Sequence, residues 1–222
     1  MPLTSSLTFK NPLINNSLPC TASRGMKEKF EEIVESFIAH KVGVSDFFLT
    51  GALATLLQQH IHRLHEGGQM VSAGIGNDSV QGHDKQIRSD KIHWLDKKNK
   101  HIEELGFLEY VEDFIEYLNK TCYTGINACE FHYALYGQGS FYKRHKDQFR
   151  NDSNRKYSLI SYLNDDWLEA DGGQLWVHRQ GEIQKILPTC RKAVFFESNE
   201  LEHEVTTAMR SRMSITGWLK RV

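Results

Sequence analysis

The chain has 222 residues, 40% of them hydrophobic, and a formal net charge of −1 at pH 7. This length and apolar content allow one sizeable core, and the balanced charge excludes a global field that would attract nucleic acid or an anionic membrane. No run reaches the roughly 18 apolar residues that cross a bilayer. The 4 cysteines show no CxxC spacing, so we expect reduced thiols and a cytoplasmic protein.

Residues 1–25 differ in composition from the remainder of the chain. Ser, Thr, Asn and Pro dominate this segment, and the first acidic residue is Glu28. The segment also lacks the apolar stretch of a secretory signal. We predict that residues 1–25 form a flexible N-terminal arm and that residues 26–222 form a single domain.

Two helices are predicted before residue 70. Apolar residues recur at helical spacing from Lys27 to His40. A second helix is expected to begin at an N-cap of Ser45 or Asp46 and to end at Gly67. It carries three histidines near its end, His60, His62 and His65. Because residues two apart lie on different faces of a helix, we interpret these histidines as surface residues rather than as a metal site.

A long polar segment separates these helices from the next predicted elements. Residues 70–86 are rich in glycine and longer than an ordinary connection, which is typical of a lid over an active site. Ile87 to Leu95 is predicted to be a strand. Residues 101–120 are predicted to form an amphipathic helix whose acidic face, including Glu103 and Glu104, lies in solvent.

Short segments with period-two alternation dominate from residue 128 onward. The predicted strands are residues 131–136, 157–163, 174–178, 183–187, 193–197 and 213–220. Strands that follow helices without regular alternation of the two favour packed antiparallel sheets. We therefore predict a mainly β fold with N-terminal helices, a double-stranded β-helix (jelly roll) with the helices packed outside the larger sheet.

A histidine and a carboxylate within these strands have the spacing of metal ligands. His145 and Asp147 are two residues apart, so a strand would place them on one face. His203 supplies a second imidazole from a later strand. Two histidines and one carboxylate form the facial triad of non-heme Fe(II) oxygenases. Arg212 follows nine residues after His203, and its guanidinium could bind a carboxylate through two parallel hydrogen bonds.

This set, together with Tyr162, resembles the 2-oxoglutarate/Fe(II)-dependent dioxygenases. Five further segments occur in a matching order, namely residues 87–94, 162–167, 172–175, 194–198 and 203–205. They resemble the prolyl 4-hydroxylase branch, in particular the hypoxia-inducible-factor prolyl hydroxylases and their bacterial relatives. The resemblance covers residues 45–220.

The resemblance implies a catalytic centre in which His145, Asp147 and His203 hold Fe(II). It also implies 2-oxoglutarate and O2 as cosubstrates and leaves ascorbate open as a reductant. The residues implied to bind the cosubstrate are Arg212, Tyr162, Tyr136 and Thr216. The residues implied to bind the substrate are Trp218, Arg155, Asp90 and Tyr142, with Arg155 and Asp90 paired at the substrate entrance.

The implied reaction is hydroxylation at C4 of a proline in a protein substrate, with release of succinate and carbon dioxide. Bacterial relatives suggest a translation factor such as elongation factor Tu as the partner. Two alternatives stay open, a hydroxylase of a free amino acid or small molecule and a non-catalytic metal-binding jelly-roll protein. Related nucleic-acid demethylases have a second arginine where this chain has Trp218, so we expect no nucleic-acid partner. We also expect no membrane partner. The oligomeric state is left open.

Overall fold

The computed structural model describes residues 25–74, 87–147, 154–179 and 181–222. The helices in these ranges are Met26–His40 (α1), Gly51–Glu66 (α2) and Ile102–Cys122 (α3). The strands are Val42–Ser45 (β1), Val71–Ser72 (β2), Lys91–Trp94 (β3), Ala128–Tyr136 (β4), Tyr142–His145 (β5), Arg155–Tyr162 (β6), Leu175–Arg179 (β7), Glu182–Ile186 (β8), Ala193–Glu197 (β9), Glu202–Val205 (β10) and Arg212–Lys220 (β11). None of the described helices is long and apolar enough to cross a membrane.

The strands form two antiparallel sheets. The larger sheet has the order β1-β9-β6-β11-β4-β3-β2, and the smaller has the order β5-β10-β7-β8. Alternate residues of both sheets are buried against each other, for example Ile160 and Phe196 from the larger sheet and Leu175 and Val177 from the smaller. This confirms the predicted double-stranded β-helix.

The helices cover the outer face of the larger sheet and create a second core. Phe30 of α1, Leu57 of α2 and Phe114 of α3 are fully or almost fully buried there, together with sheet residues such as Phe195. The ring centroids of Phe114 and Phe195 lie 5.5 Å apart in an edge-to-face arrangement, a geometry that aromatic pairs prefer. Helical spacing on one side and strand alternation on the other produced this interface, as predicted.

Helix α2 begins later than the sequence suggested. Its N-cap is Thr50, whose hydroxyl accepts a hydrogen bond from the backbone N–H of Leu53 at 3.2 Å. The prediction of a cap at Ser45 or Asp46 is wrong, because Ser45 ends strand β1 and pairs with Ala193 of β9. A strand of four residues is too short for its alternation to be recognised, and its pairing depends on residues far along the chain.

The placement of His60 and Glu104 in solvent is also wrong. The two residues are 3% and 0% exposed, and Nε2 of His60 is hydrogen-bonded to Oε1 of Glu104 at 3.1 Å. The other carboxylate oxygen of Glu104 accepts the backbone N–H of Asp96. These partners allow both polar groups to be buried where α2 meets α3. His62 and His65 are exposed, as predicted.

Two sequence predictions lie largely outside the described residues. The arm over residues 1–25 is outside except for residue 25, so the division into an arm and a domain stays a prediction. Of the polar segment 70–86, Val71 and Ser72 form strand β2, which pairs with β3. Residues 75–86 lie outside the described ranges, and the lid prediction with them.

Candidate active site

The three predicted metal ligands come together where strand β5 pairs with β10. His145 lies directly opposite His203 in the register of these strands, so the two imidazoles project from the same face with ring centroids 4.3 Å apart. Asp147 follows two residues after β5 ends. Its Oδ1 atom lies 3.5 Å from Nε2 of His145 and 3.6 Å from Nε2 of His203.

The hydrogen bonds made by Nδ1 of each imidazole determine the protonation of Nε2, the nitrogen that faces Asp147. Nδ1 of His145 donates to the carbonyl of Lys143 at 2.7 Å, and Nδ1 of His203 donates to the carbonyl of Leu201 at 3.3 Å. A neutral imidazole that donates from Nδ1 has a lone pair on Nε2. Two nitrogen lone pairs and a carboxylate oxygen therefore face one another, an arrangement that a cation stabilises. This donor set fits Fe(II).

Asp147 and His203 are ionised and neutral respectively, as metal ligands require. Burial disfavours the charge of Asp147, but the neighbouring His203, His145 and the Ser158 hydroxyl outweigh it and hold the pKa of this carboxyl below its usual value. The Ser158 hydroxyl donates to Oδ2 of Asp147 at 2.6 Å. Burial lowers the pKa of His203 to about 4 against the opposing effect of Asp147, so its imidazole is neutral at physiological pH.

Arg212 is a buried cation whose hydrogen bonds leave much of its guanidinium unused. The residue is 2% exposed. Its Nε donates to the carbonyl of Gly173 at 2.8 Å, and one terminal nitrogen lies 3.4 Å from the Ser214 hydroxyl. No described carboxylate lies within ion-pair distance of Arg212. A buried charge without a counter-ion is costly, so this guanidinium fits a ligand that brings its own carboxylate.

The other predicted cosubstrate residues surround Arg212. Tyr136 lies opposite it in the register of β4 and β11, with the guanidinium carbon 4.8 Å from the ring centre. The Tyr162 ring lies at 5.0 Å. Burial raises the pKa of Tyr162 to about 12 although Arg212 opposes this, and its hydroxyl has no partner with hydrogen-bonding geometry among the described residues. The Thr216 hydroxyl lies further along the strand, 3.4 Å from that of Ser214.

One cavity joins the candidate metal ligands to Arg212. Its walls include His145, Asp147, His203, Arg212, Tyr136, Thr216, Trp218 and Tyr142. Tyr162 is buried beside Arg212 and does not line this cavity. The structure therefore places the predicted metal ligands and the buried guanidinium of Arg212 on the walls of one cavity.

Two of the predicted substrate residues, Trp218 and Tyr142, line the cavity, whereas Arg155 and Asp90 are not among the described residues of its walls. The Arg155 guanidinium stacks on the Trp218 ring at 3.5 Å and donates to the carbonyl of Asp147 at 3.2 Å. Tyr142 stacks on His145 with ring centroids 3.5 Å apart. The implied pairing of Arg155 with Asp90 is wrong, because Asp90 accepts two hydrogen bonds from Arg88 and Arg155 pairs with Glu130 at 2.8 Å.

Comparison with known proteins supports the same kind of site as the geometry, an Fe(II) centre beside a carboxylate-binding arginine. The family model described as "2OG-Fe(II) oxygenase superfamily" matches residues 131–220, the range that contains the three candidate metal ligands and Arg212. The crystal structure of a prolyl-4-hydroxylase from Pseudomonas putida is 31% identical, with a TM-score of 0.77, and the match covers 87% of this chain and 99% of that one. The chain belongs to the prolyl hydroxylase family of 2OG-Fe(II) oxygenases.

Animal prolyl hydroxylases show the same relationship over part of their length. Human Egl nine homolog 1 is 31% identical over 201 residues, which cover 87% of this chain and 47% of the human protein. A prolyl hydroxylase from Trichoplax adhaerens, solved in complex with a peptide fragment of the hypoxia inducible factor oxygen degradation domain, is 26% identical with a TM-score of 0.77 and covers 88% of this chain and 90% of that one. This chain spans about half the length of the human and mouse relatives it matches.

Three residues of this prolyl hydroxylase site were not singled out from the sequence. Ser158 bonds to Asp147, Arg88 lines the cavity with its guanidinium 4.3 Å from the Tyr142 ring, and His132 lines the cavity beside Trp218. A signal was available for two of them. Ser158 is four residues before Tyr162 and His132 is four before Tyr136, and strand alternation places each pair on one face.

A second group of possible metal ligands lies outside the family site. His60, His101 and Glu103 each offer an atom within 4.8 Å of the others. Arg63 already supplies a cation there, because it pairs with Glu103 and lies 3.2 Å from Nδ1 of His60. A larger cavity of about 890 Å³ beside His40 holds none of the predicted site residues.

Proposed function

We propose that this chain is a 2-oxoglutarate- and O2-dependent Fe(II) prolyl 4-hydroxylase that acts on a proline in a protein substrate and releases succinate and carbon dioxide. The observation that carries the proposal is the shared cavity. At one place in this cavity the ligand atoms of His145, Asp147 and His203 converge, which favours binding of a cation. At another place the buried guanidinium of Arg212 favours binding of an anion. A 2-oxoacid with a second carboxylate satisfies both, because its keto-acid end can chelate the metal while its far carboxylate binds Arg212.

The chain's own residues hold and orient the reactants. His145, His203 and Asp147 would bind Fe(II) from one side and leave the remaining positions open. Fe(II), once bound, supplies the oxygen activation and the oxidative decarboxylation of the 2-oxoacid. Tyr162 lies beside Arg212, and the Thr216 hydroxyl is linked to Arg212 through that of Ser214, so these two hydroxyls are the neutral donors that we assign to the cosubstrate. Tyr136 forms the cavity wall beside Arg212. Buried apolar side chains from both sheets, Ile160, Leu175 and Val205, exclude water from the space between.

A protein substrate is supported by the family rather than by a bound ligand. The Trichoplax adhaerens relative was solved with a peptide, and the flat Trp218 ring at the cavity wall suits a prolyl ring. Elongation factor Tu, the partner that the sequence resemblance implied, is the first candidate to test. A cytoplasmic location and ascorbate as a reductant belong to the same proposal.

The test combines turnover with mass spectrometry. The purified, Fe(II)-loaded chain is incubated with 2-oxoglutarate under air, with and without a bacterial lysate, and both succinate and the mass of one added oxygen on proline are measured. We expect lysate to stimulate succinate formation and a proline to carry the oxygen. His203→Ala should abolish both signals. His178→Ala, on neighbouring β7 and hydrogen-bonded to Glu204, is the matched control and should retain them.

The other outcomes separate the alternatives. Succinate formation without a marked protein would contradict the protein-substrate proposal and favour a hydroxylase of a small molecule. Metal binding without turnover in any condition would contradict the enzymatic proposal and leave a non-catalytic metal-binding jelly-roll protein.

A further inference from the structure

One buried polar side chain in the cavity has no task in the chemistry described so far. His132 is 4% exposed and lines the cavity, and its Nδ1 atom has no hydrogen-bond partner among the described residues. His60, a histidine buried to a similar degree, is bonded to Glu104. Buried polar atoms in native proteins are nearly always paired. An orphaned imidazole at a cavity wall therefore indicates a partner that comes with a ligand.

The strand register shows which ligand His132 can reach. On β4, Tyr136 lies opposite Arg212 and His132 lies opposite Thr216. Because a strand rises about 3.3 Å per residue, His132 lies about 13 Å along the sheet from the Arg212 end. The far carboxylate of the cosubstrate would occupy the Arg212 end, so His132 lies at the opposite end of the cavity.

That opposite end has the features of an entrance for substrate. The rings of His132, Trp94 and Trp218 form one cluster, in which the His132 centroid lies 4.9 Å from that of Trp94 and 5.6 Å from that of Trp218, and the two indole rings lie 6.2 Å apart. Trp94 is 46% exposed, so the aromatic row that it begins runs from solvent into the cavity. The Nε1 atom of Trp218 is buried and, like Nδ1 of His132, has no partner among the described residues. Two neighbouring side chains thus each have an unpaired polar atom at the end where a peptide would enter.

The chemistry of a prolyl peptide matches an N–H donor. Burial, reinforced by the charge of Arg88, lowers the pKa of His132 to about 4, so the ring is neutral and offers one N–H and one lone pair. Proline has no backbone N–H. The peptide groups on both sides of the proline nitrogen therefore offer carbonyl oxygens as their nearest hydrogen-bonding atoms, and these accept from a donor.

We propose that His132 is a specificity-determining residue whose N–H donates a hydrogen bond to a backbone carbonyl of the peptide that carries the target proline, beside the contacting rings of Trp94 and Trp218. This inference rests on the proposed function. It assigns His132 to the substrate and not to the metal or the cosubstrate, so its replacement separates the affinity for substrate from the affinity for 2-oxoglutarate.

The experiment compares His132→Leu, which removes the donor, with His132→Gln, which keeps an N–H donor. Initial rates of proline hydroxylation are measured over a dilution series of lysate proteins, the probe used here, at saturating Fe(II) and 2-oxoglutarate. We expect His132→Leu to raise the half-saturating lysate concentration about tenfold, the loss of one hydrogen bond. His132→Gln should stay within about threefold of the wild type. The KM for 2-oxoglutarate, the affinity for Fe(II) and the Tm should be unchanged in both variants.

The other outcomes overturn either the inference alone or the proposed function with it. A His132→Leu variant with wild-type half-saturation overturns the inference. So does an equal rise in the KM for 2-oxoglutarate, which would place His132 with the cosubstrate, or a lower Tm with a matching loss of rate, which would make it structural. A wild-type chain that marks no proline overturns the proposed function itself, and the inference with it.

Discussion

Ser158 donates its hydroxyl hydrogen to Oδ2 of Asp147 at 2.6 Å, and this bond determines which carboxylate oxygen faces the two imidazoles. The other oxygen, Oδ1, is left at 3.5 Å and 3.6 Å from Nε2 of His145 and His203. The Ser198 hydroxyl lies 2.9 Å behind that of Ser158. Two buried hydroxyls therefore orient the acidic ligand, as partners of metal ligands commonly do.

Removing the Ser158 hydroxyl should weaken metal binding. We expect Ser158→Ala to lower the affinity for Fe(II) about 10- to 100-fold, since the carboxylate loses its orienting donor. Anaerobic Fe(II) titration measures this directly. Ser161→Ala is the matched control on the same strand, because the Ser161 hydroxyl is buried but has no partner among the described residues. Equal affinities in the two variants would show that the bond to Asp147 does not orient it.

Replacing the buried guanidinium should affect the cosubstrate alone. We expect Arg212→Lys to raise the KM for 2-oxoglutarate about 10- to 100-fold, because a lysine keeps the charge but loses the planar fork that matches a carboxylate. The affinity for Fe(II) should not change. Arg210→Lys, at an exposed residue that pairs with Asp171, is the control and should keep the wild-type KM. A normal KM in Arg212→Lys would move the cosubstrate carboxylate elsewhere.

Gly173 holds Arg212 in place through its backbone. Its φ is +59°, and an added Cβ would lie 3.0 Å from Cδ of Arg212 and 3.1 Å from the Trp167 ring. Gly173→Ala should therefore cost about 1–2 kcal/mol of unfolding free energy and also raise the KM for 2-oxoglutarate. Gly68→Ala, at φ +67° with open space around the added carbon, should show the backbone cost without the KM effect. Denaturant unfolding and steady-state kinetics on both variants separate the two.

The sequence was informative where local spacing decides the structure. Strand alternation placed His145 beside Asp147 and Arg212 in line with Thr216 and Trp218, and the sheet then brought these sets together. Prediction from the sequence failed for contacts between residues that are far apart along the chain. Nothing in α2 or α3 alone indicates that His60 meets Glu104, 44 residues away. The prediction for Asp90 failed for the opposite reason, because its partner is Arg88, only two residues away, and not the distant Arg155.

The buried pair of His60 and Glu104 should contribute to stability. We expect Glu104→Leu to lower the free energy of unfolding by about 2–3 kcal/mol, because it leaves the buried His60 nitrogen without its charged acceptor. Glu109→Leu, at an exposed position of the same helix, should change it by no more than about 0.5 kcal/mol. Urea titration of both variants measures the difference, and similar values would place Glu104 in solvent after all.

His132 should make the metal-free protein less stable in acid. Its folded pKa of about 4 lies below the ordinary 6.5, so the unfolded chain binds a proton first as the pH falls. The stabilisation is complete above about pH 6.5 and is lost as the pH drops toward about 4, which amounts to about 2 kcal/mol between about pH 8 and about pH 5. Unfolding of the wild type and His132→Leu at both pH values should show a smaller acid loss in the variant. An equal loss would contradict a buried, neutral imidazole at this position.

Incorporation of isotopically heavy dioxygen tests the central claim most directly. The Fe(II)-loaded chain is supplied with 2-oxoglutarate, lysate proteins and the heavy gas in ordinary water, and the products are weighed by mass spectrometry. We expect one heavy oxygen atom in succinate and one on C4 of a substrate proline, with neither product in Arg212→Lys at a low 2-oxoglutarate concentration. A prolyl hydroxyl whose oxygen came from water, or succinate formation with no marked proline, would contradict it.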